Sequence, residues 1–393
     1  MSSKDVDVAF AYLSRVLEGP SRELSDLLAR GWEPVVLAQA VRDRDPSLGK
    51  LLAKTSARAH VEQAEQDLKA AAAIGARLIY PGHPEWPEEV LGQAFSFAAS
   101  GISQHLRSYQ ADAVAPHALW VRGGDVRSLS SQAVAVVGTR AVIRYGAQAT
   151  RMIAGGLAKQ QWTIVSGGAL GIDTHAHEAA LAHGAPTIAV AACGIDRCYP
   201  KRNEGLFHRI VDSGGAVVTE YPPQTTPQRH RFLTRNRLVA ALGRGTVVVE
   251  AAWRSGALNT LSWAEGLGRV CMAVPGPVTH AGSLGRHQRI RDGAAELVTS
   301  AAEVRELIEP VGASDVQAQY ELDFSGDAVQ KLSRNELRVF DALEPGRGRE
   351  TQEVATTAGL PLPLTVYLLV ALMRAGLARI DGELWHRGDA AEP

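Results

Sequence analysis

Glycine, arginine and asparagine recur at a few points in the middle of the chain, and these are residue types that hold phosphate rather than break bonds. Gly138-Thr139-Arg140 comes directly after a β-branched run. Glycine lets backbone approach a ligand, threonine can cap the next turn, and arginine offers a planar fork suited to phosphate. Ser166-Gly167-Gly168 leads through Ala169-Leu170-Gly171-Ile172-Asp173 into a helical stretch. Successive amides at a helix N-terminus form an anion-binding concavity, although a glycine pair also permits tight strand-to-helix packing. Lys201 and Asn203 stand beside Arg202 at the start of another helix, where cations oppose the dipole and so suit a bound anion better than the helix itself. Arg235-Asn236-Arg237 and Ser255-Gly256 complete the set. Several phosphate-sized sites strung along strand ends fit a polymer better than one nucleotide.

Groups for covalent chemistry lack their partners. The chain contains no G-x-S-x-G, no H-E-x-x-H and no G-x-x-x-x-G-K-[ST], which removes the hydrolase elbow, the zincin site and the ATP-hydrolysing P-loop. His175, His177 and His183 do not share a helix face at a spacing of two, and at larger spacings they lie about two turns apart. Asp173 has no acid nearby in sequence and is expected to cap or pack at its helix start. The expectation is therefore of no catalytic residue, no metal and no cofactor.

Loops of this kind need a scaffold that gathers them. Short β-branched runs at 133–137, 162–165, 186–191, 216–219, 245–250 and 269–274 alternate with helical stretches near 145–160, 174–183, 202–213, 233–242 and 257–267. That alternation predicts an α/β fold, a doubly wound Rossmann-like parallel sheet covered on both faces. Ligands bind such sheets beyond the carboxyl ends of the strands. Residues 1–78 are rich in Leu and Ala at helical spacing, as in Leu13, Leu17, Leu24, Leu27 and Leu28, and predict a small N-terminal helical domain. Residues 79–310 make the extended Rossmann-like domain with its core at 131–300, and the Pro- and Gly-punctuated stretch 80–125 reads as an irregular connection. A polar linker at 311–329 precedes a unit at 330–390. There, helices at 333–343, 351–358 and 364–375 and a hairpin around Asp381-Gly382 describe a winged helix.

Charge agrees with the loops. The formal net charge of -1 over 393 residues conceals an asymmetry: residues 131–300 carry 18 Lys and Arg against 10 Asp and Glu, and the rest of the chain carries 23 against 32. Residues 221–249 contain Arg229, Arg231, Arg235, Arg237 and Arg244 and no acid, which marks an electropositive surface, with a solvated helix face as the alternative. By contrast, residues 331–387 carry 8 bases against 7 acids, too balanced for major-groove reading and better suited to partner contact or weak DNA contact. A hydrophobic share of 46% with 21% charged residues excludes wholesale disorder. Cys193, Cys198 and Cys271 form no CxxC and read as reduced thiols. No apolar run approaches the roughly 18 residues that span a bilayer, and the N-terminus lacks a signal-peptide layout, so a cytoplasmic protein without a membrane is expected.

VGTR (137–140), SGGALGIDTHAHEAAL (166–181), CGIDRCYPKRN (193–203), TEYPPQTTPQRHRFLTRNR (219–237), VVVEAAWRSGALNT (247–260), AVPGPV (273–278) and SLGRHQRIRDGA (283–294) together resemble the DNA-processing protein A family, also called Smf. The motifs run in matching order over about 120–300, and the helical N-terminus (SAM/HhH-like) and winged-helix C-terminus resemble that family's longer members. The resemblance implies a dimer that binds single-stranded DNA, protects incoming DNA during transformation and loads the RecA recombinase. It implies that Arg140, Gly167, Gly168, Lys201, Asn203, Arg235, Asn236 and Arg237 lie at the DNA site, to which the reading of the strand-end loops adds Gly138, Thr139, Ser166, Ser255 and Gly256. The chain departs from the family pattern at Leu233, where proline is usual, at Arg289, where an apolar residue is usual, and at 93–112, which reads as an insertion. An enzyme with a related sheet, a nucleoside-monophosphate phosphoribohydrolase of the lysine-decarboxylase-like group, is the rival. It would carry P-G-G-x-G-T-x-x-E, where this chain has Arg254 to Thr260 and Trp263 in place of the catalytic glutamate. A nucleotide sensor with one closed pocket and a sequence-specific repressor are weaker rivals.

Overall fold

Alternation decides how the central strands pack. In β3 (Ala133–Gly138) the side chains of Ala133, Ala135 and Val137 join one hydrophobic cluster and those of Val134 and Val136 join another. A strand buried on both faces shows this period of two. The computed structural model describes residues 2–101, 111–253, 255–309, 329 and 332–388. The linker expected at 311–329 lies outside the described residues except for Val329, as do Arg254 and residues 102–110 of the expected insertion at 93–112.

Residues 2–75 form α1 (Ser3–Leu17), α2 (Arg22–Ala29), α3 (Pro34–Arg42), α4 (Lys50–Thr55) and α5 (Ala64–Ala73). Then come β1 (Ala76–Ile79), α6 (Glu88–Ala99), β2 (Leu119–Gly123) and α7 (Val126–Ser130). Beyond β3 the chain alternates: α8 (Arg144–Lys159), β4 (Thr163–Ser166), α9 (Ile172–Ala182), β5 (Thr187–Val190), α10 (Glu204–Asp212), β6 (Ala216–Thr219), α11 (Arg229–Leu242), β7 (Gly245–Glu250), α12 (Gly256–Gly266) and β8 (Val270–Ala273). It continues with α13 (Leu284–Arg291), β9 (Glu296–Leu297) and α14 (Ala301–Ile308).

These strands make one nine-stranded sheet in the order β1-β2-β6-β5-β4-β3-β7-β8-β9. From β6 to β9 every pairing is parallel. The six expected strands all form, and α8, α9, α11 and α12 cover them as a doubly wound sheet requires. The chain reverses its direction of growth between β3 and β7, which opens a crevice at their carboxyl ends.

In its described residues the stretch 80–125 is not wholly irregular. It supplies α6 and β2, and β2 pairs antiparallel with both β1 and β6, extending the parallel core. Its prolines fall outside these short elements. The N-terminal helices also share a hydrophobic cluster with Trp120, Ala189 and Val217 of the sheet and with α10. Trp120 Nε1 donates to Ser14 Oγ at 3.1 Å, and Arg231 pairs with Glu18 at 2.9 Å, so α1 is anchored beside α11. Residues 1–314 form one compact unit, residues 315–393 a second.

The second unit contains α15 (Arg334–Asp341), β10 (Arg349–Glu350), α16 (Thr351–Ala358), α17 (Leu362–Arg374), β11 (Ala378–Asp381) and β12 (Leu384–Arg387). Its strands pair in the order β10-β12-β11 over a core of Val339, Phe340, Leu343, Val354, Leu369 and Trp385. Among the described residues no single helix is long and apolar enough to cross a membrane.

Candidate nucleic-acid interface

The crevice at the switch point is a cleft of about 700 Å³, and the loops after β3, β4 and β7, Tyr199 from the loop after β5, and the start of α11 line it. Gly138, Thr139, Arg140, Gly167, Arg235, Asn236, Ser255 and Gly256 meet there, although they come from four separate stretches of sequence.

Local bonds fix the frame. Thr139 N–H donates to Glu250 O at 2.7 Å, and Ile172 N–H donates to Thr139 O at 3.1 Å, which ties the β3 loop to β7 and to α9. Thr139 Oγ1 accepts from Ala141 N–H at 3.2 Å, so it closes its own turn. Gly171 has φ +85°, and a Cβ there would stand 2.3 Å from Thr139 O, a conformation and an approach that only glycine allows. Ser255 caps α12, accepting from Leu258 N–H at 3.4 Å, and aims the positive end of that helix dipole at the cleft.

The glycine loop does hold a carboxyl group, but it is the protein's own. Asp173 accepts from Gly167 N–H at 3.1 Å and from Ala169 N–H at 3.3 Å. Its carboxyl is pushed up by burial, against the pull of Arg235 and these two amides. The Gly167 amide expected on phosphate is therefore occupied. Arg235 is buried and donates to Gly167 O at 2.7 Å and to Val190 O. A Cβ on Gly167 would lie 2.2 Å from Arg235 Nη1, so glycine is what admits the guanidinium. Burial pulls Arg235 down, with Asp173 opposing. Its charge thus underlies the cleft floor and is partly matched by Asp173. Asn236 Nδ2 donates to Gly256 O at 3.3 Å and to Asn259 Oδ1 at 3.1 Å, which links α11 to the first turn of α12.

Five of the expected site residues lie elsewhere. Arg237 is fully buried, paired with Glu220, and donates to Val114 O at 2.8 Å, with the Phe95 ring centroid 5.4 Å from its guanidinium carbon. It belongs to the core because the helix turns it away from the cleft that Asn236 faces. Ser166 is buried, its Oγ donating to Val136 O at 2.7 Å. Asn203 is a staple: its Nδ2 reaches Gly168 O at 3.0 Å, Ala169 O at 3.3 Å and Thr174 Oγ1 at 2.9 Å. Gly168 backs onto the Phe207 ring, 2.6 Å from where a Cβ would stand. Lys201 is exposed but pairs with Glu204 at 3.1 Å and does not line the cleft.

The cleft also contains residues that sequence reasoning left out of the site. Tyr199, Arg229, Phe232 and Leu233 line it. The rings of Tyr199 and Phe232 are 5.5 Å apart, and the Arg140 guanidinium carbon lies 5.5 Å from the Phe232 centroid. Arg140 and Arg229 are exposed, and among the described residues neither has a carboxylate partner. Aromatic residues interleaved with bases, as in Tyr199-Pro200-Lys201-Arg202 and Arg229-His230-Arg231-Phe232, are the signal that could have found them. Leu233 lies inside α11, which begins at Arg229 and not near 233 as expected. Arg289 is accommodated by Ser262 Oγ at 2.7 Å and Glu265 at 3.6 Å. His177, one of the tempting ligands, is a buried histidine with Nδ1 2.7 Å from Thr187 Oγ1; burial, with Arg235 nearby, lowers it to about 3.

Comparison with known proteins identifies the family. A family model described as DNA recombination-mediator protein A matches residues 77–309, more than half of the chain. The DNA processing protein DprA of Mycobacterium tuberculosis is 44% identical over 381 residues, covering 96% of this chain and 93% of that protein. Protein Smf of Escherichia coli is 37% identical over 276 residues, covering 68% and 71%. The X-ray structure of DNA processing protein A from Streptococcus pneumoniae superposes with a TM-score of 0.62 at 30% identity, covering 79% of this chain and all of that one. The chain is thus a DNA-processing protein and belongs to the DNA recombination-mediator protein A family.

Proposed function

We propose that the switch-point cleft binds single-stranded DNA without acting on it chemically. The observation that carries this reading is the juxtaposition of two exposed arginines, Arg140 and Arg229, which have no carboxylate partner among the described residues, with the Tyr199–Phe232 pair in one cleft. Arginine forks fix phosphates, and aromatic faces stack unpaired bases with little regard to sequence. A duplex hides its bases from such a wall. The Ser255-Gly256 end of α12 offers a third position for phosphate, and Lys201 lies just outside, two residues from Tyr199.

The phosphoribohydrolase reading is disfavoured by two residues. Trp263, where that motif carries its glutamate, is buried in the core. Asp173, the one acid among the cleft-lining residues, is already bound by two amides. The nucleotide-sensor reading is disfavoured because the site is a cleft and not a closed chamber.

On the family resemblance, the bound strand is protected and handed to a RecA recombinase by a cytoplasmic dimer during natural transformation and recombination. Exposed apolar side chains at Trp253, Val278, Leu284 and Leu297 favour pairing with a second copy through the α12–β9 region. In the second unit, read as a winged helix, α17 exposes Leu364, Val366, Tyr367 and Met373 and has Arg374 as its one base. This surface suits a protein partner better than phosphate. A gel-shift comparison of single-stranded with duplex oligonucleotides tests the core of the reading. Preference for the single strand, lost in Arg140→Glu, is the expected result, and equal or better retention of duplex would refute it.

A further inference from the structure

Three metal-ligating side chains meet outside the cleft. Cys198 lies in the loop after β5, and Glu204 and His208 lie on the first turns of α10; one donor atom from each stands within 4.8 Å of the other two. The spacing of four places Glu204 and His208 on one helix face. The loop carries Cys198 back over that face and is closed by Arg197 N–H to Gly194 O at 2.9 Å and Asn203 N–H to Pro200 O at 2.9 Å. Asn203, with its three side-chain bonds, fixes the entry to α10. Cys193 does not compete, because its thiol is buried and turned to Arg197 O at 3.4 Å.

These neighbours do nothing structural for one another. Among the described residues no hydrogen bond joins the three, and Glu204 forms its ion pair with exposed Lys201, a contact of small worth. The convergence is therefore not explained by packing or by a surface salt bridge.

The geometry points to a binding site for a divalent cation of the zinc class, held by the Cys198 thiolate, the His208 imidazole and the Glu204 carboxylate, with a fourth position left to water. A sulfur, nitrogen and oxygen set selects zinc or cobalt(II) over magnesium or calcium, which take oxygen ligands. Metal–ligand bonds of about 2.0–2.3 Å place tetrahedral donors about 3.5 Å apart, so these side chains need to close by only about 1 Å. Cys198 is half-buried and His208 exposed, so both are free to adjust. On binding, the Cys198 thiol gives its proton to solvent.

One consequence rests on the single-strand reading, although the site itself does not. Glu204 holds Lys201 Nζ at 3.1 Å. A metal that takes this carboxylate frees the ammonium beside Tyr199 and so adds a cation to the rim of the cleft.

Chelator-treated, reduced full-length protein titrated with cobalt(II) tests the site without DNA. One equivalent is expected to bind with a near-ultraviolet thiolate-to-cobalt charge-transfer band that zinc bleaches. The band should vanish in Cys198→Ser and survive in Cys193→Ser. Affinity should fall at least about tenfold in His208→Ala, since losing a ligand costs no less than losing its supporting contacts. His208 is exposed, so this variant retains the fold, which circular dichroism verifies. No thiolate band, a band that persists in Cys198→Ser, or wild-type affinity in His208→Ala would each overturn the site. With the band established, single-strand affinity that zinc leaves unchanged would overturn the release of Lys201 alone.

Discussion

Removing the side chain of Arg237 would leave the Glu220 carboxylate buried with no cation beside it. Burial pushes that carboxyl up, and Arg237 is the group that opposes the push. Breaking one side of such a pair costs about 3–5 kcal/mol, so Arg237→Ala is expected to lower the denaturation midpoint strongly. Single-strand affinity of the fraction that remains folded should not change, because Arg237 does not face the cleft; a large loss of affinity in that folded fraction would return it to the DNA site. Two histidines act on the same scale. Burial, aided by Arg237, lowers His117 to about 4, and His177 falls to about 3. Both are neutral in the fold and take up protons when the chain opens near their ordinary value of about 6.5. Stability from these groups is therefore present above about pH 6.5 and is lost as pH falls toward their folded values, at up to about 1.4 kcal/mol per pH unit for each. Denaturant titrations across that range should show this slope, and His177→Asn should flatten it.

At the scale of elements, α11 carries both the wall of the cleft and a piece of the core. Phe232→Ala removes the ring that Tyr199 and Arg140 approach and is expected to weaken single-strand binding by about 1–3 kcal/mol, the usual worth of a stacked base. Equilibrium anisotropy checks this, with an unchanged melting transition as the control. The parallel strands β3 to β8 are legible in the sequence because β-branched runs buried on both faces look like nothing else in the chain, whereas the two-residue, exposed β9 is not. β1 and β2 are not, since an antiparallel extension of a few residues among prolines and glycines carries no comparable period. Arg237 escapes for a different reason. In the sequence it is one more base in an acid-free run, and its burial depends on Glu220 at the end of β6 and on Val114 far upstream. Asn203 likewise looks like a ligand, because the carbonyls it satisfies belong to the loop after β4. The loop residues that do meet at the cleft are legible because a doubly wound sheet gathers the carboxyl ends of its strands, whatever their separation along the chain.

On the scale of the whole molecule, a chain with a net charge of -1 places two exposed arginines, without carboxylate partners among the described residues, at one crevice of one sheet. Binding by such a crevice releases counterions in proportion to the phosphates it neutralises. The most direct measurement is the affinity of full-length protein for a labelled single-stranded homopolymer over a series of salt concentrations, for wild type and for the Arg140→Ala, Arg229→Ala double variant. A linear fall of log affinity with log salt is expected for wild type, and a slope shallower by about two in the variant, one for each phosphate contact removed. A variant with the wild-type slope and affinity would show that DNA lies somewhere other than the switch-point cleft.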